Sequence, residues 1–204
     1  QVPLRMTVVR LDDGLLVYNP IAATPECVQM VRALEQQYGL VVKDILVGSV
    51  ALEHKVYAGV FAQKFPQARV WVTPGQYSFP VNLPYVYLGF PAGRTQILDL
   101  ADSNQKLPDS WQNILDVATL GPIISRDGAF AETVVLHKPT KTLLVTDTCV
   151  VCSDQVPAIY DTDPAPLLYH ARDTITDRVV DSPETRRKGW KRIVLFGLFF
   201  TPSA

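Results

Sequence analysis

Hydrophobic and polar positions alternate in short runs at the start of the chain and then follow helical spacing. Apolar runs at 6–11 and 15–18 predict two strands, and the Asp-Gly pair between them predicts a tight turn. Thr24 and Pro25 predict the start of a helix, because Thr caps helices and Pro suits their first turn. Gly39 predicts the end of that helix, since glycine readily adopts the left-handed conformation found there.

The pattern continues through the next 35 or so residues. An apolar run at 41–47 predicts a strand central in a sheet, and the segment 48–54 after it predicts a loop. A second helix, stopped by Pro66, is predicted from apolar residues at helical spacing. These residues are Tyr57, Val60, Phe61 and Phe65. The run 68–73 predicts a further strand.

The periodicity fades in the middle of the chain and returns later. Residues 76–120 are rich in Pro, Tyr and Asn, which predicts a long irregular insertion. Apolar runs at 132–137 and 142–146 then predict a β-hairpin joined by a turn at 138–141. The tail, 184–204, begins with basic residues and ends with apolar ones. The order of elements predicts a mixed α/β fold with layers of sheet and helices outside.

Composition indicates an ordinary folded domain. The 204 residues are 48% hydrophobic and 19% charged with a formal net charge of -1, which predicts one domain over 1–204 and no nucleic-acid partner. The apolar run 193–200 is too short to span a bilayer, which takes ~20 residues. Because Ala204 follows that run so closely, we expect the natural protein to continue. Gln1 indicates a removed leader or a partial sequence.

The three cysteines are Cys27, Cys149 and Cys152. An odd count argues against a full disulfide framework. Cys149 and Cys152 have the spacing of a redox motif, but they follow a predicted strand and do not open a helix. We interpret all three as small buried residues.

The loop before the second helix is the main candidate for chemistry. Glu53, His54 and Lys55 place an acid, an imidazole and an amine after a strand, where α/β proteins usually build active sites. They are our candidate catalytic residues. The alternative for His54 is a capping or core-facing role, and for Glu53 and Lys55 a pair of solvated charges. Asp147 ends a predicted strand, where aspartates also bind backbone N–H groups.

Five short stretches, in this order and spacing, resemble the metallo-β-lactamase-like superfamily. They are Tyr18-Asn19-Pro20-Ile21-Ala22, Glu53-His54-Lys55, Phe65-Pro66-Gln67-Ala68, Pro74-Gly75-Gln76 and Leu143-Leu144-Val145-Thr146-Asp147. The resemblance is in particular to an uncharacterised branch, a domain-of-unknown-function family of plastid-bearing organisms and cyanobacteria. It implies an αββα sandwich, here incomplete at its C-terminal end.

The resemblance also implies a metal site that has lost ligands. His54 matches the last histidine of the metal loop, Glu53 matches the aspartate before it, and Asp147 matches the metal-bridging aspartate. Ser49 and Ala51 stand where two ligand histidines are expected. No histidine stands in the segment 128–133 that matches a later ligand, where Glu132 is the available oxygen donor. The implied metal ligands are therefore His54, Asp147 and Glu132.

Two functions follow from this resemblance. The first is a catalytically reduced accessory or binding subunit that needs no cofactor. Its expected partner is a protein, such as a photosynthetic complex of the thylakoid membrane, and its expected location is the chloroplast. The alternative is a hydrolase with a single divalent metal ion. In that case His54 is ligand or base, and Lys55 assists an anionic substrate.

Overall fold

The computed structural model describes residues 4–76, 81–103, 105–125, 128–149, 151 and 153–199. It contains two compact units, Gln1–Cys149 and Val150–Ala204. The assignment of 1–204 to one domain stays a prediction. The predicted mixed α/β, or α+β, class is confirmed, since the described residues form two sheets and six α-helices.

A five-stranded sheet forms the centre of the first unit. Its strands are β1 (Thr7–Arg10), β2 (Leu15–Tyr18), β3 (Val42–Val47), β4 (Arg69–Val72) and β5 (Thr95–Ile97), in the spatial order β1-β2-β3-β4-β5. The first pair is antiparallel and the other pairs are parallel. The first four strands match the predicted ones to within about two residues at each end, which is the usual uncertainty of helix and strand ends.

The helix α1 (Pro25–Tyr38) has the predicted ends. The Thr24 side chain accepts a hydrogen bond from the backbone N–H of Cys27, and Gly39 adopts the left-handed conformation. Two short helices, α2 (Leu52–Lys55) and α3 (Ala58–Lys64), follow β3. The predicted stripe of the second helix is wrong in two positions. Phe61 and Phe65 are buried, but Tyr57 and Val60 face solvent, and Ala58 and Ala62 complete the buried face.

A second, antiparallel sheet contains β6 (Leu115–Ser125), β7 (Gly128–His137) and β8 (Thr142–Leu144). The predicted hairpin is therefore confirmed as β7–β8. The stretch 76–120, predicted to be irregular, contains more order than its sequence indicated. It supplies a 3-10 helix at Tyr85–Leu88, the strand β5, the short helix α4 (Asp109–Gln112) and the first half of β6.

Three layers build the core of the first unit. One face of the five-stranded sheet packs against α1 and α3, through residues such as Val31, Ile45 and Phe61. The other face packs against the second sheet, through Leu46, Trp71 and Val135 among others. Alternation along the strands explains this arrangement, because successive side chains point to opposite faces of a sheet.

A carboxylate lies buried among these apolar side chains between the sheets. Asp44 on β3 accepts two hydrogen bonds from the Arg69 guanidinium, at 2.9 and 3.0 Å. The indole N–H groups of Trp71 and Trp111 also donate to it, at 2.8 and 3.2 Å. A buried charge needs such partners, since it has lost its water. The four bonds join β3, β4 and α4.

The second unit is built around two helices, α5 (Ala165–Ala171) and α6 (Pro183–Phe199). They touch closely at Gly189, because a Cβ atom there would collide with the backbone carbonyl of Leu167. The basic residues of α6 do not form an isolated positive patch. Arg186 pairs with Asp181 and Asp161, Arg187 and Lys191 with Asp154, and Lys188 and Arg192 with Asp173.

Two remaining sequence expectations concern cysteines and membranes. Cys27 is buried as predicted, but Cys149 is exposed, so the interpretation of all three as buried is wrong. Cys152 lies outside the described residues. Within the described part of the chain, no helix has the length and apolarity that a membrane span needs.

Candidate functional site

The candidate site lies where three parallel-sheet strands end. Asn19, Gly48 and Thr73 follow directly after β2, β3 and β4. The Asn19 side chain accepts a hydrogen bond from the backbone N–H of Gly48 at 2.7 Å, and the Thr73 hydroxyl donates to the carbonyl of Val47 at 3.0 Å. The hydroxyl oxygens of Thr73 and of Thr133 on β7 also lie within hydrogen-bond distance, at 2.8 Å. Polar side chains therefore join the two sheets at this edge.

The loop after β3 docks directly on β7. The backbone N–H of Thr133 donates to Gly48 at 2.7 Å, that of Val50 donates to Ala131 at 3.2 Å, and Ser49 forms a bridge with Glu132. Nothing larger than glycine fits at position 48, because a Cβ atom there would lie 2.6 Å from the Tyr18 ring. The loop is thus held as rigidly as a strand.

Tyr18 packs against the loop that follows β3. Its hydroxyl donates to the backbone carbonyl of Thr133 at 3.0 Å. Burial, reinforced by the nearby charge of Glu132, raises the pKa of Tyr18 well above its ordinary value. The phenol is therefore a neutral hydrogen-bond donor and does not supply a phenolate.

Glu132 is fully buried, and its carboxylate receives four hydrogen bonds from one loop. Oε1 accepts from the backbone N–H of Thr146 at 2.6 Å. Oε2 accepts from the backbone N–H groups of Asp147 and Thr148, at 2.8 and 2.7 Å, and from the Thr148 hydroxyl at 2.6 Å. Hydrogen bonds to a charged acceptor are stronger than neutral ones. Glu132 therefore fixes the segment 146–148 and presents the Asp147 side chain.

Asp147 faces His54 across the site. The His54 Nε2 atom lies 3.8 Å from Asp147 Oδ2. The Asp147 carboxylate raises the pKa of His54 and outweighs the opposing effect of burial. The same interaction, with a smaller contribution from the Ser49 hydroxyl, lowers the pKa of Asp147. Both shifts favour the charged pair, a histidinium beside a carboxylate.

Ser49 completes this group without acting as a nucleophile. Its hydroxyl donates to Asp147 Oδ2 at 3.3 Å and accepts from the backbone N–H of Ala51 at 3.1 Å, and the residue is fully buried. In a serine hydrolase the hydroxyl bonds to the histidine, which takes its proton. Here the hydroxyl bonds to the carboxylate, so the three residues do not form a catalytic triad.

The two neighbours of His54 point in different directions. Glu53 is exposed, as the interpretation of a solvated charge requires. Lys55 is buried, so that interpretation is wrong for the lysine. Burial lowers the pKa of Lys55, against a smaller opposite effect of Glu53.

The implied metal ligands only partly converge. His54 and Asp147 approach each other, but the Glu132 oxygens are taken up by the backbone of 146–148. Across the described residues, no group of three or more His, Cys, Asp or Glu side chains is arranged to hold a metal ion. A catalytic zinc site normally has three protein ligands. This donor set does not fit one.

Three buried polar atoms near the site have no hydrogen-bond partner among the described residues. They are Asn19 Nδ2, Gln76 Oε1 and Thr146 Oγ1. Gln76 is otherwise held by its Nε2 atom, which donates to the carbonyl of Ser49 at 3.0 Å. In the sequence, these residues stand out only as parts of the motifs that carry the family resemblance. A polar side chain directly after an apolar strand is the signal that would have identified Asn19 and Thr73.

These features define an α+β domain with a buried polar site at the carboxyl ends of parallel strands. The chain belongs to the family described as domain of unknown function DUF4336, whose model matches residues 1–204. A comparison with curated proteins gives no match. The predicted membership of a domain-of-unknown-function family is thus confirmed, and the placement in the metallo-β-lactamase-like superfamily stays a prediction.

Proposed function

We propose that this protein is a catalytically reduced, metallo-β-lactamase-like accessory or binding subunit. The layered order of helices and two sheets, with a loop site where β3 ends, agrees with three of the four layers of an αββα sandwich. The positions of the superfamily's metal ligands then coincide with His54, Asp147 and Ser49.

The observation that carries this proposal is the way in which the two carboxylates are neutralised. Glu132 receives three backbone N–H groups and one hydroxyl. Asp147 faces a histidine whose pKa is raised. Hydrogen bonds and an internal ion pair thus provide the compensation that metal ions provide in an active relative. The site then serves to hold two loops together.

The hydrolase alternative has one observation in its favour. His54 and Asp147 lie close together although they are far apart in sequence, as a shared ligand or an acid–base pair requires. Against it, Ser49 is buried, and Glu132 has no oxygen free of hydrogen bonds. We therefore favour the binding role.

The proposed partner is a protein, and we place it among the membrane complexes of the chloroplast. The plastid location and the photosynthetic partner rest on the family resemblance alone. The binding role rests on the contacts of Glu132 and Asp147, whereas the location rests on the resemblance. The proposed binding role therefore stands even if the location proves different.

Metal titration of chelator-treated protein tests the proposal most directly. We expect no saturable binding of Mn²⁺ or Zn²⁺ at one equivalent, and no hydrolysis of phosphodiester, thioester or β-lactam substrates with either ion. One equivalent of metal bound by the wild type but not by Asp147→Asn would overturn the proposal. So would a hydrolytic activity that disappears in His54→Gln.

Cross-linking in isolated thylakoid membranes tests the binding role itself. We expect the protein to form cross-links with the same membrane complex in the wild type and in His54→Gln, because that side chain is not needed for binding. If the wild type at native abundance forms no cross-links with a membrane complex, the proposed thylakoid partner is contradicted.

A further inference from the structure

An apolar surface covers the outer side of α2 and α3. The backbone of Val56 and Tyr57 is right-handed helical, so the helical rotation continues between the two helices. Leu52, Val56 and Val60 recur four residues apart and are 62%, 50% and 52% exposed. Four-residue spacing places side chains on one face of a helix. We call this surface the outer α2–α3 face.

Tyr57 lies beside this stripe and is 40% exposed. A 3-10 helix also packs against α3, because a Cβ atom on Gly59 would lie 2.5 Å from the carbonyl of Gly89, the residue that follows the 3-10 helix. Val86 and Tyr87 of that 3-10 helix are exposed as well, at 56% and 74%.

Contiguous apolar surface of this kind marks an interaction site on a protein, whereas isolated apolar side chains are ordinary. A two-fold contact buries the same patch on both copies, so it doubles the apolar area that one copy contributes.

The charges at the two ends of the face identify its partner. Glu53 is exposed in the first turn and Lys64 in the last, with the apolar stripe between them. Eleven residues of helix separate them by ~16 Å. If two copies pack this face antiparallel about a two-fold axis near Val56 and Val60, each Glu53 lies opposite Lys64 of the second copy. A face with this charge order is complementary to itself, as a two-fold interface must be.

We propose that the outer α2–α3 face is the interface of a homodimer. Antiparallel packing buries Leu52, Val56 and Val60 at its centre and places a Glu53–Lys64 pair at each end. The His54 and Asp147 side chains lie on the inner side of α2, so this inference does not depend on the role of the candidate site.

Sedimentation velocity across a concentration series tests the dimer. We expect a reversible monomer–dimer equilibrium in the wild type and at least a tenfold weaker one, on the order of a single hot-spot loss, in Val60→Asp. Met30→Asp on α1 is the matched control, because Met30 is also an exposed apolar residue on a helix. Val60→Ser repeats the test with a milder change, and circular dichroism verifies that each variant is folded.

Charge reversal then tests the antiparallel arrangement. Glu53→Lys and Lys64→Glu should each weaken the dimer by placing like charges opposite each other, and the double variant should restore it. A wild type that stays monomeric through ~100 µM, well above a micromolar Kd, overturns the proposal. So does a dimer that survives Val60→Asp, a double variant that stays as weak as the singles, or a monomer that floats with lipid vesicles and loses this binding in Val60→Asp.

Discussion

Replacing Glu132 by glutamine removes the buried charge while keeping the size and shape of the side chain. Glutamine retains one carbonyl oxygen but presents an NH₂ group where the second carboxylate oxygen lies. That NH₂ group cannot accept from the backbone N–H groups of the segment 146–148, which donate to Glu132 at 2.6 to 2.8 Å. At least one buried donor is left without an acceptor in either orientation of the amide.

The expected cost follows from these bonds. A hydrogen bond to a charged group contributes about 1.5–3 kcal/mol, and a buried donor without a partner costs a further 1–3 kcal/mol. Because such effects are not additive, we expect a loss of about 3 kcal/mol in the free energy of unfolding of the first unit. For a unit of this size that loss corresponds to a fall of roughly 6–12 °C in Tm.

Urea denaturation followed by tryptophan fluorescence measures this loss in the correct unit. The chain has three tryptophans. Trp71 and Trp111 lie in the core of the first unit, and Trp190 lies on α6. A Trp190→Phe background therefore restricts the signal to the first unit. Asp12→Asn is the matched control, because Asp12 is exposed and surface substitutions usually change stability by less than ~0.5 kcal/mol. A loss below ~1 kcal/mol in Glu132→Gln at unchanged m-value would refute the role assigned to Glu132.

Three further outcomes are expected. Because the pKa of His54 is raised in the fold, its pairing stabilises the protein below the unfolded pKa of histidine, and this contribution is lost as the pH rises through the folded pKa. Because the pKa of Asp147 is lowered, its pairing stabilises the protein above the unfolded pKa of aspartate, and this contribution is lost as the pH falls through the folded pKa. The stability difference between the wild type and His54→Gln should thus be largest between about pH 4 and 6.5, and a difference that grows above pH 8 would contradict the pairing. Gly189→Ala should separate α5 from α6, seen as faster hydrogen exchange at Leu167 with the first unit unchanged. Asp44→Asn should destabilise the first unit by about 1–3 kcal/mol in the same urea assay, because it removes the charged acceptor shared by Arg69 and two indole N–H groups while the Arg69 side chain, 40% exposed, keeps its contact with water. A cost near zero would argue against that network.

Local signals in the sequence were sufficient to predict the helices and strands that have clear ends. The helix α1 was predicted because Thr24 and Gly39 are a cap and a terminator whose effects act within a few residues. The strand β6 was missed although it pairs with the next strand along the chain. Its partner is β7, and the register shifts between Leu120 and Ile123, so no simple alternation appears in the sequence. Tertiary contacts rather than propensity decide such a strand.

The second helix shows why a correct spacing is not enough. Tyr57 and Val60 share helical spacing with Phe61 and Phe65, but the buried face is set by small residues. Ala58 and Ala62 allow α3 to approach the sheet, and Gly59 allows the 3-10 helix to approach α3. The spacing of large apolar residues gives these small residues no weight. It therefore wrongly predicted that Tyr57 and Val60 belong to the buried face.

The sequence points to residues of the candidate site without fixing their contacts. The pairing of His54 with Asp147 was expected from the resemblance, and the two side chains do lie together. For Glu132 the sequence offers no distinction between a metal ligand and an acceptor of backbone N–H groups, because both uses require a carboxylate. The decision depends on where the segment 146–148 folds, which is a property of the assembled sheets.

The same geometry explains why this site differs from a metal loop that merely lacks two histidines. Ser49 is fully buried, its backbone bridges Glu132, and its carbonyl accepts from Gln76. A larger side chain at that position would have to displace β7 or the loop that carries Asp147. The Glu132 carboxylate already accepts hydrogen bonds from the backbone N–H groups of that loop. A cation that bound to this carboxylate would have to compete with those hydrogen bonds, which stabilise the fold. Under the proposed superfamily relationship, these substitutions are coupled: once the Ser49 and Glu132 contacts exist, binding a metal would cost stability, and the proposed binding role would fall to surfaces outside the site.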